Sequence, residues 1–482
     1  MSNETQGKMG VTGIALFTLC AVLVVDTLTA SASIGVSAIG WWVLMLVFFV
    51  IPYGLITSEL STTYPGEGGI YDWVKQAFNF KWAVRTTWFY WINVGLWMPA
   101  VYIMFAGMFA GMFAELFMPD LSLWGQIAIC ILLTWLTVLI CNVSADIGVW
   151  VTNIGAILKI VVISTLGVGG FIYAMKNGVA NEFTLPAMMP SLDSAVSFLP
   201  AIVFNLMGFE LVATMTKEMK DVRDMPKAVF LSIGITAFLY IFGTVGILMA
   251  LPVESIGLVS GLIDTFRTLF GTGVVGTAMV YIFGTFALLT LIGNMVSWTM
   301  GASRAAAEAA QEGELPAPVA KVSEKGSPVG ANNITGTVST IVILSYALFA
   351  QGNDDLFWSI FAFSSCIFLL PYLFMFPAYL KLRVVDGKRE RPFKVPGGMA
   401  AQWIMSIVCF LVVFQAVILF IFPEALDLTV ADWGYTGPVL IGVIATILAG
   451  EWILLGALKR KKQQGSGDDD TADTQDKKEA QA

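Results

Sequence analysis

Four ionisable side chains stand inside long apolar runs of this sequence: Asp26, Glu59, Lys159 and Glu210. A charge at the bilayer centre costs about 2.5–3.5 kcal/mol on insertion scales, so such groups mark ion pairs, proton relays or binding sites. Histidine is absent, which leaves any proton step to carboxylates or lysine. Of the five cysteines, Cys20, Cys130, Cys141, Cys366 and Cys409, none forms a CxxC pair and all lie in or beside apolar runs. They read as small hydrophobes, and neither a metal site nor a disulfide is expected. No phosphate-cradling GxxxxGK[ST] loop occurs, so gradients and not ATP would drive any transport.

These residues need membrane helices to position them. The 482-residue chain is 57% hydrophobic and only 12% charged, with mean hydropathy +0.79. Soluble domains carry about 25% charged residues, so the solvent for most of this chain is lipid. Twelve apolar stretches of spanning length lie near 12–36, 41–63, 87–117, 122–142, 148–175, 194–215, 227–251, 272–306, 333–351, 355–382, 401–422 and 436–458; they are spans 1 to 12 below. With the N-terminus cytoplasmic, all but three of the 26 basic residues (Lys159, Lys176 and Arg267) fall on the inner side. That asymmetry predicts cytoplasmic N- and C-termini. The tail "GSGDDDTADTQDKKEAQA" (465–482) is polar and of low complexity, which predicts disorder over 459–482.

Asp26 and Glu210 hold similar places in spans 1 and 6. Pro200, Asn205 and Gly208 weaken the helix just before Glu210, and "VVDTLTASASIG" (24–35) surrounds Asp26 with small and β-branched residues. Interrupted helices at matching places in two halves point to the binding site of an inverted-repeat transporter, although Pro and Gly are also ordinary in membrane helices. The triplet Ala30-Ser31-Ala32 imitates a signal-peptidase site, but cleavage there would remove the partner of span 6. Lys159 has a plainer reading too, a structural ion pair with Asp26.

Four segments resemble the amino acid–polyamine–organocation (APC) superfamily: "SELSTTYPGEGGIYDWVKQAF" (58–78), "GFELVATMTKEMKDVRDMPKAV" (208–229), "SWTMGASRAAAEAAQEGELP" (297–316) and "RPFKVPGG" (391–398). The pattern is most similar to that of bacterial antiporters exchanging an amino acid for its decarboxylated amine, such as arginine–agmatine and glutamate–GABA exchangers. The resemblance implies an all-α integral membrane protein with twelve transmembrane helices. It would have a LeuT-like 5+5 inverted repeat with broken helices 1 and 6. The core would cover 12–383, after a cytoplasmic N-terminus at 1–11, with repeats at about 12–176 and 194–383. A cytoplasmic loop at 384–400 and peripheral spans at 401–458 would follow.

It further implies a substrate site built from Asp26, Thr29, Ala30, Ser31, Met98, Tyr102, Phe204, Asn205, Gly208 and Trp298. Glu210 would serve proton coupling, and the Lys159 ammonium would replace a sodium ion. The family's Gly-Ser-Gly-like motif is replaced here by "DTLTASAS" (26–33), and an ionised Asp26 beside it disfavours a bare carboxylate ligand. The expected function is therefore a secondary antiporter or permease for amino acids, their decarboxylated amines or polyamines, sodium-independent and exchange- or proton-coupled. If Asp26 pairs with Lys159, a neutral or acidic amino acid becomes the alternative. A transporter-derived sensor or channel is the reading from another class, and no enzyme activity is expected. No cofactor, metal or nucleic acid is expected either. The partners are a small-molecule substrate and the lipid bilayer of the cell membrane, with monomer and homodimer both open.

Overall fold

In lipid every backbone N–H and C=O needs an internal partner, and these apolar sequences find one by coiling into helices. A computed structural model of the chain describes residues 8–25, 28–117, 121–191, 199–257, 261–349, 354–423 and 432–479, without the side chains of 114–117, 349, 354–359 and 463–479. Nine helices among the described residues are long and apolar enough to cross a membrane. Three further stretches are helical as well: Val11–Val22 with Leu28–Ala32 (span 1), Leu199–Asn205 with the 3-10 turn Leu211–Glu218 (span 6), and Val329–Phe349 (span 9).

Local chemistry sets the departures from the expected boundaries. Span 3 begins at Phe80, earlier than its apolar run, because the Asn79 side chain accepts the N–H groups of Lys81 and Trp82. Ser122 and Ser144 cap spans 4 and 5 in the same way. Span 2 (Ala38–Thr63) contains a π turn at Leu46–Val50 just before Pro52. The proline has no N–H and its ring crowds the preceding turn, which a π turn relieves. An amphipathic helix absent from the sequence reading, Ile70–Ala77, follows Gly69, whose φ of +54° suits glycine. The helical backbone of span 12 continues from Trp433 to Glu479, through the tail read above as disordered. Extending a formed helix needs no new nucleus and no tertiary partner.

Small residues decide how closely the helices approach. A methyl group on Gly155 (span 5) would lie 3.1 Å from the Gly293 Cα of span 8, and one on Gly170 would lie 2.1 Å from the Gly246 oxygen of span 7. Span 5 therefore meets both neighbours backbone to backbone, the close packing that glycine allows in membranes. The basic loops gather at one end of the bundle. There the N-terminal segment pairs as a short bridge, with Met9 N–H donating to Glu218 O at 2.8 Å and Lys220 N–H to Met9 O at 2.9 Å.

Candidate functional site

Two interrupted helices meet in the middle of the bundle. Span 1 leaves helical geometry at Leu23–Val25, and span 6 leaves it at Leu206–Glu210. One side chain serves both gaps. The Tyr240 hydroxyl (span 7) accepts Val24 N–H at 2.8 Å and faces the carbonyls of Val22 at 2.8 Å and Asn205 at 3.0 Å. The Tyr240 ring stacks on Trp42 at 4.7 Å, which fixes its direction. Asn205 Nδ2 donates to Ser31 Oγ at 3.2 Å, tying the first half of span 6 to the second half of span 1. Thr29, Ala30 and Ser31 are all buried in that second half. Asp26 lies outside the described residues, so its pairing with Lys159 is not placed.

An aromatic box covers the gaps. The Trp298 indole (span 8) donates to Ala21 O at 3.1 Å. Its ring meets Phe368 edge-on at 4.9 Å and Trp97 at 6.2 Å. Phe204 closes the same box against Trp97 at 5.5 Å and Phe368 at 5.2 Å. Gly208 has φ +112°, and a Cβ there would sit 2.9 Å from the Trp298 ring. Only glycine lets the unwound strand pass so near the indole. Trp97 Nε1 is buried with no hydrogen-bond acceptor among the described residues.

Below the box, Glu210 is fully buried in a cage of hydroxyls. Tyr372 donates to it at 2.7 Å, Tyr90 at 3.0 Å, and Tyr53 closes the third side. Tyr53 also accepts Gly208 N–H at 3.2 Å, which turns its own proton toward Glu210. A phenol can donate to a carboxylate or accept from a carboxylic acid, so this cage suits either protonation state.

Lys159 is 1% exposed, and its ammonium reaches Cys20 O of span 1 at 2.5 Å and Asn294 Oδ1 of span 8 at 2.6 Å. The Gly155–Gly293 contact one turn away brings Asn294 within reach. A tethered cation thus bridges spans 1, 5 and 8 beside the first gap.

Phe204, Asn205, Gly208, Glu210 and Trp298 are brought together with Ser31, and Ala30 lies beside it. Tyr102 is turned elsewhere: its hydroxyl bonds Thr137 of span 4, on a face of span 3 away from Trp97. Met98 is buried next to Trp97 in the core. Glu59 lies apart from the site. It accepts Arg383 at 2.5 Å, Arg391 at 3.2 Å and Val395 N–H at 2.7 Å, anchoring the loop after span 10. Sequence reasoning missed Tyr53, Tyr90, Tyr240, Phe368, Tyr372 and Asn294. A phenol inside an apolar span carries a usable signal, because a buried hydroxyl needs a partner.

A family profile described as "Amino acid permease" matches residues 9–445. A probable agmatine/putrescine antiporter of Lactococcus lactis is 35% identical over 461 residues, 95% of this chain and 96% of that protein. A glutamate/gamma-aminobutyrate antiporter of the same species is 24% identical over 87% of this chain and 85% of its own length. Among solved structures, the manganese transporter of Eremococcus coleocola, in complex with an aromatic bis-isothiourea substituted compound, aligns with a TM-score of 0.59. Its identity is 12%, over 94% of this chain and 95% of that one. That likeness concerns the fold alone, the LeuT-like inverted repeat with helices 1 and 6 broken.

Proposed function

The chain belongs to the amino acid permease family, and from that premise we propose that it is a sodium-independent antiporter for small organic amines, agmatine and putrescine first among them. The observation that carries this reading is the aromatic box of Trp97, Phe204, Trp298 and Phe368 closing over the two helix gaps. The similarity to the agmatine/putrescine antiporter supports the substrate class. Ring faces hold organic cations with about 0.5–2 kcal/mol each, and the Val22 and Asn205 carbonyls, which share the single Tyr240 proton, keep lone pairs that can accept from an ammonium or guanidinium. Asp26 supplies the counter-charge. Thr29, Ala30 and Ser31 line the span 1 side, with Met98 and Tyr102 behind the span 3 wall. Lys159 takes the place of a sodium ion between spans 1 and 8, and Glu210 exchanges a proton as the site reorients. The protein works in the cell membrane, with both termini and the basic end in the cytoplasm.

One observation favours a second reading. The unpaired Trp97 Nε1 is a donor and suits a ligand acceptor such as an amino acid carboxylate. Proteoliposomes loaded with unlabelled agmatine decide between the two. We expect saturable uptake of labelled putrescine, unchanged when sodium is replaced by potassium. Uptake of neutral or acidic amino acids but no amine establishes the second reading. No saturable exchange of any amine or amino acid overturns both.

A further inference from the structure

Away from the central site, a cavity of about 480 Å³ opens at the basic end of the bundle. Beside Thr62 of span 2, its walls are Arg223, Pro226, Lys227 and Phe230 at the start of span 7, and Pro392 and Phe393 from the loop after span 10. The volume falls within the ~300–1,000 Å³ of ligand pockets. Two cations and no acid line it.

The cavity is built. Arg391, 5% exposed, donates to Glu59 and to the carbonyls of Leu382 and Asp386, and Val395 N–H also bonds Glu59. Pro392 and Phe393 are therefore held between two anchored residues, and the Phe393 ring lies 6.2 Å from that of Phe230. The cations, in contrast, are available. Among the described residues the Arg223 guanidinium forms no ion pair, although its backbone N–H bonds Asp221. Lys227 meets Asp224 only at 3.9 Å, with its side chain 76% exposed.

Span 7 then supplies a path out of the cavity. Lys227, Leu231, Gly234 and Phe238 follow one another at helical spacing on its exposed face. Leu231 is 48% and Phe238 61% exposed, and nothing lies within 4 Å of a Cβ placed on Gly234. A cationic, partly apolar pocket continuing into an apolar stripe with a dent matches an amphiphile with an anionic head.

We propose that this cavity binds the headgroup of an anionic phospholipid, with Arg223 and Lys227 on the phosphate and an acyl chain lying along the Leu231–Phe238 face. Basic residues near the membrane surface attract such headgroups electrostatically. The pocket joins span 7, whose Tyr240 holds both helix gaps, to the loop anchored on span 2. A lipid there ties the elements around the site together whatever the substrate is.

The test uses the full chain in nanodiscs of phosphatidylcholine, with or without phosphatidylglycerol. Thermal unfolding and native mass spectrometry of retained lipid are the readouts. We expect phosphatidylglycerol to raise the unfolding midpoint of the wild type. An Arg223→Gln, Lys227→Gln variant should lose most of that rise and retain several-fold less lipid. The charge-keeping variant Arg223→Lys, Lys227→Arg should keep both, as should Lys321→Gln, Lys325→Gln, which alters a different basic loop. Equal losses in the two Gln pairs would mean diffuse attraction to the basic end and overturn the proposal. So would loss in the charge-keeping variant, or inorganic phosphate alone reproducing the shift.

Discussion

Glu210 sits at zero exposure with three phenols around it and no cation among its described partners. A carboxylate so placed depends on donors it can keep through a protonation change. Glu210→Gln keeps the volume and removes the titration. We expect exchange of two amines at equal pH inside and out to persist at reduced rate, while the response to an imposed pH gradient disappears; flux measurements under both conditions check this. Tyr53→Phe leaves the Gly208 N–H and one side of Glu210 unpaired, at about 1–3 kcal/mol, and should weaken substrate affinity by tenfold or more. Trp298→Ala removes a ring face and the bond to Ala21 O. By the cation–π range of about 0.5–2 kcal/mol, it should raise KM for an amine about two- to thirty-fold.

Among elements, the two broken helices set the conditions for everything else. Gly208→Ala puts a methyl group 2.9 Å from Trp298 at φ +112°, a backbone conformation costing other residues about 1–3 kcal/mol. Folded protein with sharply reduced binding is the expected outcome, measured by ligand-induced thermal stabilisation. Tyr240→Phe keeps the stack on Trp42 and loses the bonds to both gaps. It should slow turnover several-fold more than it lowers the unfolding temperature would suggest. The span 6 gap was legible in the sequence, because Asn205 and Gly208 are poor helix formers next to a charge; in span 1 the described gap falls at Leu23–Val25, and the small residues after Asp26, expected at the break, form the helix Leu28–Ala32. The resemblance named both Phe204 and Trp298, and the two rings share Trp97 and Phe368 as neighbours. The hydroxyl cage was not legible, since its members come from spans 2, 3 and 10 and no spacing along one helix relates them. Tyr102 illustrates the converse: helical aromatics one or five residues apart face different neighbours, and only packing shows which.

At the scale of the molecule, the basic end is closed by ion pairs. Arg304, 9% exposed, joins Glu67 at 2.8 Å and Glu218 at 2.9 Å, and Lys217 also meets Glu67. Opening a path through that end means parting these groups. Arg304→Gln should therefore make a Ser31→Cys thiol several-fold more reactive toward an impermeant reagent applied from that side. Nearby, Glu314 is buried in the loop after span 8, 3.0 Å from Lys75. Burial pushes its carboxyl above the ordinary value, partly offset by Lys75 and Tyr71. A carboxyl raised in the folded state costs stability once ionised, and the cost fades as pH falls through its raised value toward 4.5. Glu314→Gln should thus gain less in unfolding temperature between pH 7 and pH 5 than the wild type does.

The bridge between Met9 and Met219 also imposes an order on synthesis. During translation the N-terminal segment waits for about two hundred further residues before its backbone partner exists. Span 1, whose described residues are helical at Val11–Val22 and Leu28–Ala32 with a gap at Leu23–Val25, is a poor membrane anchor alone, and its gap is filled by Tyr240, which is made later still. The first helix inserted is therefore among the last to settle. A ribosome paused after span 5 would hold a chain whose opening segment is still labile, and protease digestion of such stalled chains should cut near residues 8–25 until span 7 has emerged.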